Sequence, residues 1–199
     1  MKCDVLLKGG HVLDPKNKID GAFDVAIDNG LVASVSPNLP IEAARKVIDV
    51  SGLFVTPGLI DIHMHAYATP GNRNAWAGDN SVLPDGFSFR AGVTTMVDTG
   101  SAGWRNIDDF RNRVIDRCQT RLFAFVNICG LGMTDIAHEQ NLYDLDPRLT
   151  AEVAKANEDV VVGIKTAHYY GPDWTSVDRC LKAAGLAETR AMIDFGFFK

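Results

Sequence analysis

Five short apolar runs dominate the chain after residue 58: "GLIDIHMH", "GVTTMVDTG", "RLFAFVNICG", "VVVGIKTA" and "AMIDFG". Segments with helical periodicity separate several of them. In "WRNIDDFRNRVIDRC", Trp104, Ile107, Phe110, Val114 and Cys118 fall on one helical stripe. In "TSVDRCLKAAG", Val177, Cys180, Leu181 and Ala184 form another. That second segment opens with Thr175-x-x-Asp178, a capping-box pattern, and has Gly185 near its end. Asp146-Pro147 supplies a cap and first turn for "PRLTAEVAKANED". Strand and helix alternating at this rhythm mean βαβ units, hence an α/β fold with a parallel sheet.

The first 55 residues follow another pattern. Apolar runs flank Asn29-Gly30 in "DVAIDNGLVASV", a hairpin signal. "VLLKGGHVL" and "KVIDVSGLFV" read as further strands, and "IEAAR" as no more than a turn. We therefore expect a small β-sandwich-type domain over residues 1–55 and a second domain over 56–199, divided near Pro57-Gly58.

The first apolar run after that division ends in an unusual way. On a strand, Leu59, Asp61, His63 and His65 share one face, while Ile60, Ile62 and Met64 share the other. The apolar face is expected to lie under helices. Two histidines at i and i+2 stand roughly 6.6 Å apart along a strand, and metal–nitrogen bonds of about 2.1 Å let both rings reach one ion. A histidine pair on an exposed edge strand fits the same residues. Lys165 closes the nearly all-apolar "VVVGIKTAH". Val161 and Gly163 share its face, and Gly163 leaves space beside it. Burial would lower the pKa of this amine and let it react with carbon dioxide, giving an anionic two-oxygen ligand. A lysine snorkelling from a strand end is the plainer alternative. Asp194, in "AMIDFG", serves equally as a metal ligand or as a turn cap. His168 lies close enough to Lys165 to touch substrate, although a solvated loop histidine is the default for it and for His138. His11 reads as structural. Asp98 reads as support for a ligand histidine or as a turn cap, and Trp76, Tyr169 and Trp174 as pocket walls or packing.

These motifs resemble a known family. "PGLIDIHMH" matches the PGxxDxHxH pattern of the amidohydrolase superfamily, and "GIKTAHYYGPDW" and "GVTTMVDTGSAGW" resemble its amidohydrolase/deacetylase branch, alongside the dihydroorotases. The resemblance implies a partial TIM (β/α)8 barrel, about five of eight strands, preceded by a small N-terminal β domain. It implies a hydrolase acting on C–N bonds of amides, cyclic amides or N-acyl compounds through a metal-activated water. The implied cofactor is a divalent metal, zinc by default, held by His63, His65, Asp194 and a carboxylated, bridging Lys165. Asp194 departs from the pattern, because many relatives carry a histidine there. The catalytic aspartate of the family is expected beyond residue 199, so the chain reads as an N-terminal fragment. A catalytically inactive half-barrel acting as a binding or association partner is the alternative.

Composition excludes some partners. The net charge of −5 without a Lys/Arg run argues against nucleic acid and anionic membranes. The start, "MKCDVLLKGGHVLDP", holds too short an apolar run for a signal-peptide core, so a cytoplasmic location is expected, where the widely spaced Cys3, Cys118, Cys129 and Cys180 read as free thiols. No apolar run approaches membrane-spanning length. The expected partners are a small acyl or amide substrate and either a second copy or a C-terminal half. A doubly wound nucleotide-binding domain is discounted, since "HAYATPGNRNAW" is not a glycine-rich phosphate loop.

Overall fold

The computed structural model describes residues 2–68 and 80–194. The chain divides into two compact units, Met1–Gly58 and Leu59–Lys199. Among the described residues, no helix is long and apolar enough to cross a membrane.

The first unit is a five-stranded mixed sheet. Strands β1 (Cys3–Asp14), β2 (Ile19–Asp28) and β3 (Leu31–Ser36) pair antiparallel in sequence. Strands β4 (Ala44–Asp49) and β5 (Phe54–Val55) both run parallel to β1. The β2–β3 hairpin turns at Asn29-Gly30, with φ of 51° and 75°. Both residues are left-handed, the combination a two-residue hairpin turn demands. The bulge in β1 falls between Leu7 and Gly10, where Gly9 is left-handed at φ 78°. His11 pairs with Asp20 at 2.6 Å and lies edge-on to Phe54, a structural role.

Asp24 knots this unit together. It is buried, and its oxygens accept from Lys8 Nζ at 2.7 Å, Gly9 N at 2.8 Å and Leu39 N at 2.8 Å. Burial alone would raise its pKa, but the ammonium and the two backbone donors outweigh it and hold the carboxyl below its ordinary 3.8. Asp24→Ala is expected to cost about 2–3 kcal/mol in urea denaturation, because three donors lose one acceptor. The folded pKa is depressed, so Asp24's contribution is full above 3.8 and fades as pH falls through the lower folded value. The gap between wild type and variant should therefore close in acid.

The second unit carries the parallel sheet. Its strands are β6 (Leu59–Met64), β7 (Val93–Gly103), β8 (Arg121–Asn127), β9 (Val161–Thr166) and β10 (Arg190–Ile193). They stand in the order β10-β9-β8-β7-β6, every pair parallel. The sheet curls into a half-barrel, so the fold is α/β with part of a TIM barrel. Among the described residues, five α-helices accompany it: α1 (Pro84–Phe87), α2 (Ile107–Arg113), α3 (Ile136–Glu139), α4 (Pro147–Ala156) and α5 (Thr175–Ala187). Asp146 caps α4 by accepting from Arg148 N and Leu149 N, with Pro147 in the first turn. Ala154 of α4 and Cys180, Ala183 and Ala184 of α5 are buried against the sheet. Small residues there let helices and strands approach closely. Phe110 of α2 is fully buried against Tyr67, ring centroids 5.0 Å apart, and its burial contributes roughly 2–3 kcal/mol.

Three local expectations need correction. The helix predicted through Val114 breaks there into a short 3-10 turn, which buries Ile115 in place of Val114. Thr175 does not cap α5: Asp173 accepts from Thr175 N at 2.9 Å, and the helix runs past Gly185 to a left-handed Glu188. Among the described residues, the apolar face of β6 is covered only at its end, where Met64 is buried in the core. Ile60 and Ile62 are 63% and 69% exposed, because β6 is an edge strand hydrogen-bonded only to β7 among the described strands.

Candidate metal centre

The candidate residues sit at the C-terminal ends of β6, β9 and β10, the end where a parallel barrel collects its chemistry. His63 is in β6, and His65 follows its last residue. Their ring centroids lie 5.9 Å apart with planes at 77°. With metal–nitrogen bonds near 2.1 Å, two imidazoles sharing one ion place their centroids roughly 5–6.5 Å apart. The pair therefore fits a shared ion.

His65 is fixed from behind. Its Nδ1 meets Ser101 Oγ at 2.9 Å. Burial, followed by the charge of Lys165, pushes its pKa down to about 4, so the ring is neutral near pH 7. A neutral imidazole oriented through one nitrogen is the form a metal requires. Asp98, wholly buried, supports this corner indirectly. It accepts from Ala66 N at 2.7 Å and Ser101 N at 2.8 Å, which anchors the chain on both sides of the His65–Ser101 contact. Burial pushes the Asp98 carboxyl up against the pull of those donors.

Lys165 is the most informative residue. β9 and β6 are separated by two strands, about 14 Å in a flat sheet. Yet the Lys165 charge acts on His65, because the sheet curls and both side chains enter its concave side. The lysine is fully buried, and among the described residues its Nζ has no hydrogen-bond partner. Asp194 Oδ2 lies 3.4 Å away, an ion pair without hydrogen-bond geometry. Burial lowers the Lys165 pKa, opposed by Asp194, Glu139 and Asp98. The space beside this lysine comes from Gly100, not Gly163. A Cβ on Gly163 would meet the Phe125 ring at 2.4 Å; one on Gly100 would sit 3.1 Å from Lys165 Cδ, at a φ of 89°.

Asp194 lies one residue past β10, and its N donates to Thr166 O at 3.0 Å, which ties it to the end of β9. His168 is not a solvated loop residue. It is buried, with Nδ1 2.8 Å from Glu139 Oε2. His138 lies on α3 beside Asp135. Tyr169 is buried and Trp174 exposed; Trp76 lies outside the described residues. Sequence reasoning missed Ser101 and Glu139. Ser101 lies within the quoted "GVTTMVDTGSAGW" but carries no signal of its own, Glu139 belongs to no motif, and the role of each becomes visible only through a partner 36 or 29 positions away.

The structure thus brings His63, His65, Lys165 and Asp194 toward one region of the concave side. Among the described residues, no three His, Cys, Asp or Glu side chains close into a metal-holding cluster. The set fits a metal only with Lys165 as a donor, and its unpartnered amine is the feature that fits.

Known proteins share this arrangement of chain. No family model matches it. A protein named deacetylase Atu3266, from Agrobacterium fabrum, is 30% identical over 191 residues, 91% of this chain and 45% of that protein. A dihydroorotase from Elusimicrobium minutum is 36% identical over 129 residues, 64% of this chain and 28% of that protein. The chain thus spans less than half the length of these curated relatives. Among solved structures, an adenine deaminase superposes with a TM-score of 0.80 at 23% identity, covering 97% of this chain and 50% of that one. An N-acyl-D-glutamate deacylase from Bordetella bronchiseptica, complexed with zinc and a phosphonate inhibitor, gives 0.64 at 18% identity, covering 97% and 45%. The two structures speak for the fold alone.

Proposed function

Because this chain belongs to the amidohydrolase superfamily, we propose that it is the metal-gathering part of a hydrolase that cleaves C–N bonds in amides, cyclic amides or N-acyl compounds. The observation that carries this reading is the Lys165 amine, fully buried and without a hydrogen-bond partner. Desolvating an ammonium costs several kcal/mol, so a buried one offset only by the 3.4 Å approach of Asp194 speaks for use rather than stability. In this reading the amine nitrogen forms a bond to carbon dioxide and releases a proton. The resulting carbamate joins His63, His65 and Asp194 in holding either a single divalent ion or a pair. Imidazole and carboxylate donors suit zinc. When bound, such an ion supplies Lewis acidity toward a scissile carbonyl and toward water. Ser101 fixes the ring of His65, and Asp98 fixes the loop that carries it. His168, held by Glu139 beside the donors, contacts the substrate. No carboxylate of this chain is assigned the general-base role.

The exposed Ile60 and Ile62 favour a second reading, in which the half-barrel works by association with another polypeptide through β6. Zinc content separates the two. Protein supplied with zinc and bicarbonate should retain zinc after dialysis, and Lys165→Ala and His65→Ala should each lose it. Unchanged zinc content in both variants would overturn the hydrolase reading.

A further inference from the structure

Resting on the reading of Lys165 as a reactive amine, we propose that His168 and Glu139 are a positioning pair that holds a buried carboxylate away from Lys165 Nζ. Three carboxylates bear electrostatically on this amine: Asp194, Glu139 and Asp98. A buried lysine among three acids would ordinarily be locked into ion pairs. It is not locked, because two of the acids are occupied elsewhere. Both oxygens of Asp98 are taken by Ala66 N and Ser101 N. Both oxygens of Glu139 are taken too, Oε2 by His168 Nδ1 at 2.8 Å and Oε1 by Asn127 Nδ2 at 3.2 Å. Among the described residues only Asp194 approaches, at 3.4 Å and without hydrogen-bond geometry.

Glu139 is close enough for its choice of partner to matter. Asn127 stands opposite Lys165 in the β8–β9 ladder. The two side chains crowd one spot, since a Cβ on Gly100 would lie 3.1 Å from Lys165 Cδ and 3.4 Å from Asn127 Nδ2. Glu139 is thus one side chain away from the lysine. The backbone is bent to keep His168 in place. His168 is left-handed at φ 55°, a costly conformation for a residue with a side chain. Gln140 braces it, donating to His168 O at 2.8 Å and accepting from Tyr170 N at 3.1 Å. Of the bonds that occupy the two buried acids, the one from His168 can be removed by changing a single side chain at the rim.

Cyanate tests this, because isocyanic acid is isoelectronic with carbon dioxide and leaves a stable mark. The amine nitrogen bonds to the isocyanic carbon, the C=N π bond opens, and the amine proton passes to the adduct nitrogen, leaving a urea. Labelling at neutral pH is followed by peptide mass spectrometry, with exposed Lys16 and Lys155 as internal references and a thermal melt to confirm folding. Wild-type Lys165 should label. His168→Ala should slow Lys165 about tenfold against the references, as Glu139 swings onto the amine. Glu139→Gln alone should not slow it, and the double variant should recover the wild-type rate. Labelling of His168→Ala at the wild-type rate, or a double variant as slow as the single one, would overturn the pair. A wild-type Lys165 that stays unlabelled while Lys16 reacts would overturn the underlying reading of the amine and the pair with it.

Discussion

Lys165→Met is expected to stabilise the metal-free chain by about 1–3 kcal/mol and to abolish its retention of zinc. The two effects have one cause. Lys165 is wholly buried and makes no hydrogen bond among the described residues, so removing its ammonium sacrifices only the Asp194 approach. A methionine of similar length fills the same volume with atoms that need no solvation. The loss of the 3.4 Å approach by Asp194 offsets little, because that carboxylate keeps 27% of its side-chain surface in water. Stability gained by deleting a functional group is the signature of a site held against the preference of the fold. Urea denaturation should move to a higher midpoint with the slope unchanged. A destabilised Met variant would show that the amine is structural.

Gly103→Ala is expected to cost more than about 4 kcal/mol, or to prevent cooperative folding altogether. A Cβ at this position would lie 1.8 Å from Cys129 O and 2.6 Å from Gly130 O. These are backbone atoms and cannot rotate aside. Here the loops that follow β7 and β8 lie backbone to backbone, joined by Arg105 N donating to Gly130 O at 2.8 Å. Separating them would also disturb the end of β7, which carries Ser101 and hence His65. Gly185→Ala is the control. An added Cβ there meets nothing within 4 Å, and the residue is inside α5, so stability should hold or rise by up to about 1 kcal/mol. Thermal unfolding of the two variants should separate them widely. Similar melting of both would refute the account of this loop packing.

What the sequence revealed depended on the range of the interaction. The Asn29-Gly30 hairpin and the Asp146-Pro147 cap were legible because each is settled within a few residues. The parallel sheet was legible from the rhythm of apolar runs, and Lys165 stood out as a lone charge in one of them. The cap of α5 was misread because Asp173 precedes the residue that the capping pattern selects. Gly163 was given space that the Phe125 ring fills, while Gly100 provides the space that counts. The contacts of Ser101 with His65 and of Glu139 with His168 join segments from different βα units, so no local periodicity encodes them. The exposure of Ile60 and Ile62 on β6 was hidden for a related reason: alternation of residue types shows which side of a strand is apolar, not how far along it anything covers it.

Anomalous diffraction at the zinc edge, from protein crystallised with zinc and bicarbonate, tests the central claim most directly. The account predicts a peak bounded by the imidazoles of His63 and His65, with carbamate density extending from Lys165 to meet it. A peak elsewhere, or Lys165 unmodified and bonded to Glu139 with no metal beside it, would contradict the account.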